Sequence, residues 1–273
     1  MSIQPTEFDY SAVSGLSSKE FKYLLDTHQL VLINNVKFDS KKDLIKLGSK
    51  VGNPIRYSLN NDKKSFDSIE DVLVRTVVYN SKQFTAFGNQ YTGRAIWHID
   101  TKWTDPQFHI RYNFLYANRL PIDSSIGNTT YVSTPEMLKH IDSSFLNYLR
   151  SLTVKHARSK TASMYEGGYV GQNIKDLNDN FYIRSEPLIQ TDHLGNEFMY
   201  LSSQDAWCIE GLSVTDSKSL INQLLEEIKQ SPYRYRHHWK PNQLIVAISN
   251  YFPHMVEDDF DASEREMWRL WIK

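Results

Sequence analysis

Apolar residues recur at helical spacing in a few stretches of this chain and at strand spacing in more of them. Residues 17–25 open on Ser17-Ser18-Lys19-Glu20, a helix-start pattern. Leu30-Val31-Leu32-Ile33 reads as a short buried strand. Ser40 caps a helix predicted over 41–50, with Leu44 and Leu47 facing inward, and Val51-Gly52-Asn53-Pro54 ends it. Further strands are predicted over 72–79, 108–116, 129–132, 196–202, 244–248 and 268–272. In 108–116, Phe108, Ile110, Tyr112 and Phe114 alternate with His109, Arg111 and Asn113. Helices are predicted over 134–152, where Pro135 follows Thr134, and over 215–230, where Leu220, Ile221, Leu224, Leu225 and Ile228 share a face. The polar stretches 59–70, 80–94 and 121–128 read as loops or turns. Residues 155–185, with Gly167-Gly168 and Gly171 inside, read as a long loop and a candidate lid.

Strands follow one another without regular strand–helix–strand alternation, which argues against a doubly wound parallel sheet. The pattern predicts a mainly β fold with flanking helices, a double-stranded β-helix (jelly roll). Within residues 1–273 no linker divides the chain, so a single domain is expected.

Composition narrows the partners. The 31 basic and 32 acidic side chains nearly cancel, so neither nucleic acid nor a membrane surface is indicated. The mixed stretch Tyr233-Arg234-Tyr235-Arg236-His237-His238 is too short to change that. Cys208 is the single cysteine, which excludes an internal disulfide and a thiolate zinc cage and fits a reducing, cytoplasmic setting. Met1-Ser2-Ile3-Gln4-Pro5 lacks the basic and apolar parts of a secretory signal. The sequence leaves oligomeric state open and is compatible with a homo-oligomer.

Trp97-His98-Ile99-Asp100 carries the candidate chemistry. On an extended strand, side chains two apart point the same way, so His98 and Asp100 offer an imidazole and a carboxylate to one ion. A distal histidine would complete a two-His-one-carboxylate face, which suits non-haem Fe(II) because it leaves positions open. His140-Ile141-Asp142 repeats the tripeptide, but inside the helix predicted over 134–152. Two residues apart on a helix lie on different faces, so His140 and Asp142 are expected on its surface and not at a metal.

From about Leu16 to the C-terminus the chain resembles the taurine dioxygenase (TauD/TfdA) family. The resemblance rests on several segments in order. They are Leu47-Gly48-Ser49-Lys50-Val51-Gly52-Asn53-Pro54, Trp97-His98-Ile99-Asp100, Gly127-Asn128-Thr129-Thr130-Tyr131, and Trp239-Lys240-Pro241-Asn242-Gln243, followed by His254, Arg265 and Arg269. It implies an Fe(II)- and 2-oxoglutarate-dependent dioxygenase that consumes O2. Such an enzyme releases succinate and CO2 and oxidises an unactivated C–H bond by hydroxylation or desaturation. It further implies His98, Asp100 and His254 as the metal-binding and catalytic residues. Arg265 and Thr129 would hold the far carboxylate of 2-oxoglutarate, for which a guanidinium fork is suited. Arg94 and Arg269 fall on substrate-facing positions, favouring a small acidic or amino-acid-like substrate, anionic or zwitterionic. Asn128 stands where the family has Asp, and Ala247-Ile248-Ser249 where it has Trp-Asp-Asn. These departures bear on the substrate, and taurine is not implied. Other readings of the residues alone are a cupin-like metal enzyme without 2-oxoglutarate, a zinc hydrolase, and a non-enzymatic jelly-roll binding protein.

Overall fold

The computed structural model describes residues 3–55, 69–78, 83–86, 89–92, 97–100, 110–159, 173–202, 205–257, 259–260 and 265–273. In chain order, β1 (Thr6–Asp9), α1 (Tyr10–Ser14), α2 (Ser18–His28), β2 (Leu30–Asn34) and α3 (Lys41–Gly48) come first. They are followed by α4 (Ile69–Leu73), β3 (Val74–Val78), β4 (Gln83–Ala86), β5 (Asn89–Thr92), β6 (Tyr112–Arg119) and β7 (Thr129–Val132). Next come α5 (Thr134–Leu138), α6 (Ser143–Arg150), β8 (Thr153–Ser159), β9 (Phe181–Pro187), β10 (Ile189–Thr191), β11 (Glu197–Met199) and β12 (Ala206–Ile209). The chain closes with α7 (Val214–Gln230), β13 (Arg234–His237), β14 (Leu244–Ile248), β15 (His254–Val256) and β16 (Glu266–Ile272).

Six strands form the largest sheet, in the order β1-β2-β14-β6-β16-β3. Only β1 and β2 run parallel in it. The neighbours β14 and β6 are buried on both faces, which is why their sequences carry apolar runs as well as alternation. Helices α2 and α3 contribute Phe21, Leu25, Leu44 and Leu47 to the same core cluster as Val31, Ile33, Phe114, Leu270 and Ile272. Burying each such side chain contributes about 1.5–3 kcal/mol before entropy is counted. A three-stranded sheet, β13-β7-β15, carries the distal histidine. Beside it, α5, α6 and α7 pack Leu138, Leu149, Ile221, Leu224 and Ile228 into a second cluster.

Several local expectations stand. Ser17 and Glu20 form a capping box at the start of α2. Gly52 has a different role from the one its sequence position suggests. Helix α3 ends earlier, at Ser49, and a Cβ on Gly52 would lie 2.1 Å from the Lys273 carbonyl oxygen. The glycine is needed for the close approach of the last strand, not for a left-handed cap.

Other expectations change. The helix predicted over 134–152 is two helices, because Asp142 turns out as the N-cap of α6 and accepts from the Ser144 and Phe145 N–H groups. His140 therefore lies between helices, stacked on Tyr233, and the repeated tripeptide is not helical surface. The predicted loop over 80–94 contains the β4–β5 hairpin. Residues 155–185 begin and end in the paired strands β8 and β9, while 160–172 lie outside the described residues. The predicted loop over 59–70 lies outside them up to 68.

His156 of β8 and His237 of β13 are buried, and burial biases both rings to the neutral form. Burial pushes His156 down to about 3, and the nearby Arg184 charge adds to it. Burial likewise brings His237 to about 4, against the opposing hydrogen bond to Gln243. Both folded values lie below the unfolded value of about 6.5. Their stabilising effect is thus complete above pH 6.5 and is lost as pH falls toward the folded values. The loss is on the order of 2 kcal/mol per ring at pH 5. Carboxylates lose theirs only below about pH 4.5, so the window from 6.5 to 5 isolates the imidazoles. Urea unfolding of the apo-protein should show a lower midpoint at pH 5 than at pH 7.5, and an equal midpoint would contradict this.

Candidate metal and co-substrate site

The site forms where the two sheets approach. His254 opens β15 and pairs with Tyr131 of β7. On its other side it forms an isolated antiparallel bridge with His98, through N–H to carbonyl bonds of 3.1 and 2.9 Å. This backbone bridge brings residues 156 positions apart side by side, with ring centroids separated by 4.4 Å. Asp100 then reaches toward the large sheet. Its Oδ2 accepts from Asn113 Nδ2 of β6 at 2.5 Å, and its Oδ1 from Arg269 Nη1 of β16 at 2.7 Å. Ser249 Oγ donates to the Asp100 carbonyl at 3.2 Å.

One ligand atom from each of His98, Asp100 and His254 lies within 4.8 Å of the others, and all three residues are buried. The protonation states match a metal ligand set. His254 Nδ1 donates to the Phe252 carbonyl at 3.2 Å, which leaves the Nε2 lone pair facing Asp100 Oδ2 at 3.6 Å. Burial pushes His254 down, with Asp100 opposing, so the ring is biased to its neutral form. For Asp100, burial acts upward, but the lowering causes, led by the Arg269 charge, more than offset it and hold the carboxyl at about 2. Neutral imidazole and ionised carboxylate are the forms a divalent cation takes.

Next to this triad lies a buried cation. Arg265 is 1% exposed, and its Nη2 donates to Thr129 Oγ1 at 3.2 Å. Trp239 Nε1 donates to the same oxygen at 3.0 Å. A hydroxyl has two acceptor positions and one proton. With both acceptor positions engaged, the Thr129 proton is left to donate elsewhere. Gly127, at φ +67°, lets the β7 entry pass against Arg265, because a Cβ there would meet Arg265 Cδ at 3.1 Å. Phe260 lies 5.6 Å from the guanidinium on another side.

Of the residues proposed from sequence, His98, Asp100 and His254 come together, Thr129 and Arg265 come together, and Arg269 sits on Asp100. Arg94 lies outside the described residues. Sequence reasoning gave no site role to Asn113 or Tyr131. Asn113 was marked by polar alternation in its strand, but its contact with Asp100 depends on sheet register. Tyr131 stacks on His254 at 5.6 Å. His237 is held in a side-chain hydrogen-bond chain: its Nε2 donates to Gln243 Oε1, and Gln243 Nε2 donates to Asn34 Oδ1.

Comparison with known proteins places this arrangement in a family. The family described as "Taurine catabolism dioxygenase TauD, TfdA family" matches residues 2–271. The chain belongs to that family and is an enzyme of the 2-oxoglutarate-dependent dioxygenase class, which uses Fe(II), 2-oxoglutarate and O2. Over 171 residues it is 28% identical to the alpha-ketoglutarate-dependent 2,4-dichlorophenoxyacetate dioxygenase of Burkholderia sp. (strain RASC), covering 59% of this chain and half of that protein. It is 24% identical to the pentalenolactone F synthase of Streptomyces avermitilis, over 96% of this chain and 87% of that one. Among solved structures, a taurine dioxygenase from Burkholderia xenovorans superposes with a TM-score of 0.72 at 14% identity, covering 100% of this chain and 87% of the other. AAD-2 in complex with Mn(II) and N-oxalylglycine gives 0.69 at 16% identity, over 100% and 96%. No helix among the described residues is long and apolar enough to cross a membrane.

Proposed function

We propose that residues 1–273 form a single jelly-roll domain that oxidises an unactivated C–H bond of a small anionic or zwitterionic molecule, by hydroxylation or desaturation. The observation that carries this reading is the convergence of His98, Asp100 and His254 beside the buried Arg265–Thr129 pair. In this reading the six-stranded and three-stranded sheets are the two walls of the double-stranded β-helix, with the site between them. Family membership disfavours the cupin-like, hydrolytic and binding-protein alternatives.

His98, Asp100 and His254 would hold the iron, which supplies the centre where O2 is activated at the expense of 2-oxoglutarate. Arg265 would take the far carboxylate of 2-oxoglutarate with two parallel N–H groups, fixing its direction as well as its charge. Thr129 would donate its remaining proton to the same carboxylate. Tyr131 and the His98–His254 backbone bridge hold the imidazoles at a fixed angle and keep water from that side. Arg94 and Arg269 are assigned to the substrate side, where positive charge favours an acidic group. A relative named for 2,4-dichlorophenoxyacetate, itself a small carboxylate, is compatible with that assignment. Of the segment 155–185, read from sequence as a candidate lid, the described ends are the paired strands β8 and β9, with His156 and Ala157 fully buried, so the lid reading is not extended to them. A cytoplasmic enzyme fits the single, buried Cys208.

Succinate release tests this directly. Iron-loaded protein, screened against a library of small acids and amino acids, should release succinate in a manner that requires iron, 2-oxoglutarate and one class of substrate. Succinate release that is indifferent to added iron, or a complete lack of 2-oxoglutarate turnover across the library, would count against the reading.

A further inference from the structure

The two oxygens of Asp100 have different surroundings. Oδ2 is the one that faces His254 Nε2 at 3.6 Å. Oδ1 receives Arg269 Nη1 at 2.7 Å. Asn113 Nδ2, donating to Oδ2 at 2.5 Å, pins the carboxylate from the β6 side. Arg269 is itself held in place. It is 7% exposed, and its guanidinium carbon lies 4.6 Å over the Trp271 ring. Trp271 stands opposite Asn113 in the β16–β6 register, so Asn113, Arg269 and Trp271 approach Asp100 from one face of the large sheet. In β16 the alternate residues Trp268, Leu270 and Ile272 point away from it. Leu270 and Ile272 lie against Gly48 of α3.

We propose that Arg269 is a positioning residue that keeps Asp100 a one-oxygen metal ligand. This rests on the proposed metal and co-substrate roles above and adds to the substrate-side assignment of Arg269. A carboxylate with both oxygens free can swing to grip a cation with the pair. The second oxygen would then take a coordination position that 2-oxoglutarate needs. By occupying Oδ1 along a fixed direction, Arg269 holds that position open. A planar guanidinium suits this, because its N–H directions are rigid where an ammonium's are not. Hydrogen bonds behind metal ligands typically change affinity or activity 10–100-fold when removed.

The test compares Arg269→Met, which has no donor, with Arg269→Gln, which keeps an N–H donor without charge. Metal affinity, the visible spectrum of the Co(II)-loaded protein, and 2-oxoglutarate affinity are measured without substrate. In the Met variant, 2-oxoglutarate binding should weaken at least about tenfold. Metal affinity should fall by less than 2-oxoglutarate affinity does, and the Co(II) spectrum should change. The Gln variant should recover most of the lost 2-oxoglutarate affinity and a wild-type-like spectrum. Unchanged 2-oxoglutarate affinity in the Met variant overturns the proposal and leaves Arg269 a substrate contact alone. Equal impairment of the Met and Gln variants also overturns it, because charge rather than direction would then be responsible. If the Met variant does not fold, Arg269→Lys replaces it. That variant keeps the charge without the rigid fork, so a several-fold loss of 2-oxoglutarate affinity supports the proposal and unchanged affinity overturns it. Wild-type protein that binds metal but not 2-oxoglutarate would instead refute the underlying functional reading.

Discussion

Arg265→Ala should weaken 2-oxoglutarate binding by at least about 100-fold while leaving metal affinity within a few-fold of wild type. The size follows from two charge-assisted hydrogen bonds at about 1.5–3 kcal/mol each, with 1.4 kcal/mol per tenfold change in binding. The selectivity follows from position. Arg265 contacts Thr129, Phe260 and the Gly127 turn, whereas the side chain that pairs with the Asp100 carboxylate is Arg269. Arg265→Lys provides the second comparison. It retains charge but not the two-pronged geometry, and should recover only part of the loss. Calorimetric titration of 2-oxoglutarate and of Co(II), each into the same variants, checks both halves. Equal losses of co-substrate and metal would mean that Arg265 supports the whole site and does not recognise a carboxylate.

The second large effect separates two members of the triad. His254→Ala should reduce metal affinity by more than about 100-fold. Protein sites with four ligands bind with about 10–16 kcal/mol, so each ligand contributes on the order of 3 kcal/mol. Its effect on the apo-protein should be small. Asp100→Ala should reduce metal affinity at least as much, and it should also destabilise the apo-protein. Removing the carboxylate takes away the ion-pair partner of a guanidinium that is 7% exposed, which costs about 3–5 kcal/mol. Thermal melting of both apo-variants, alongside Co(II) titration, checks this. Equal melting temperatures for the two would contradict the Asp100–Arg269 pairing.

Much of this site was legible before the fold was known, because it depends on local rules. Alternation along an extended chain puts His98 and Asp100 on one side, and the structure keeps them there although only His98 forms a ladder bond, the bridge to His254. Arg265, by contrast, stands just before β16, which begins at Glu266, so strand alternation alone does not relate it to Arg269. The choice of His254 came from its place after the apolar run 244–248 and before Arg265 and Arg269, in the order of the family motifs. Trp239 belonged to one of those motifs without a stated role. The structure supplies it, an indole N–H on Thr129 Oγ1.

What was not legible depends on register and on caps. Asn113 meets Asp100 only because β6 pairs with β16 so that Asn113 stands opposite Trp271. The break after Leu138 arises because Asp142 captures the Ser144 and Phe145 amides, a local bond that competes with a continuous helix. Strands as short as β15 and β12 carry too few residues for periodicity to register. The substrate face is the least legible part, because Arg94 lies outside the described residues and Asn128 departs from the family pattern.

Crystals grown with Mn(II) and N-oxalylglycine, with the metal located by its anomalous scattering, test the central claim most directly. The account predicts a single peak within about 2.0–2.3 Å of one nitrogen each from His98 and His254 and of Asp100 Oδ2, with Arg265 on the analogue's far carboxylate. A metal peak elsewhere in the molecule, or one at this place with the His254 ring turned out of reach, would contradict it.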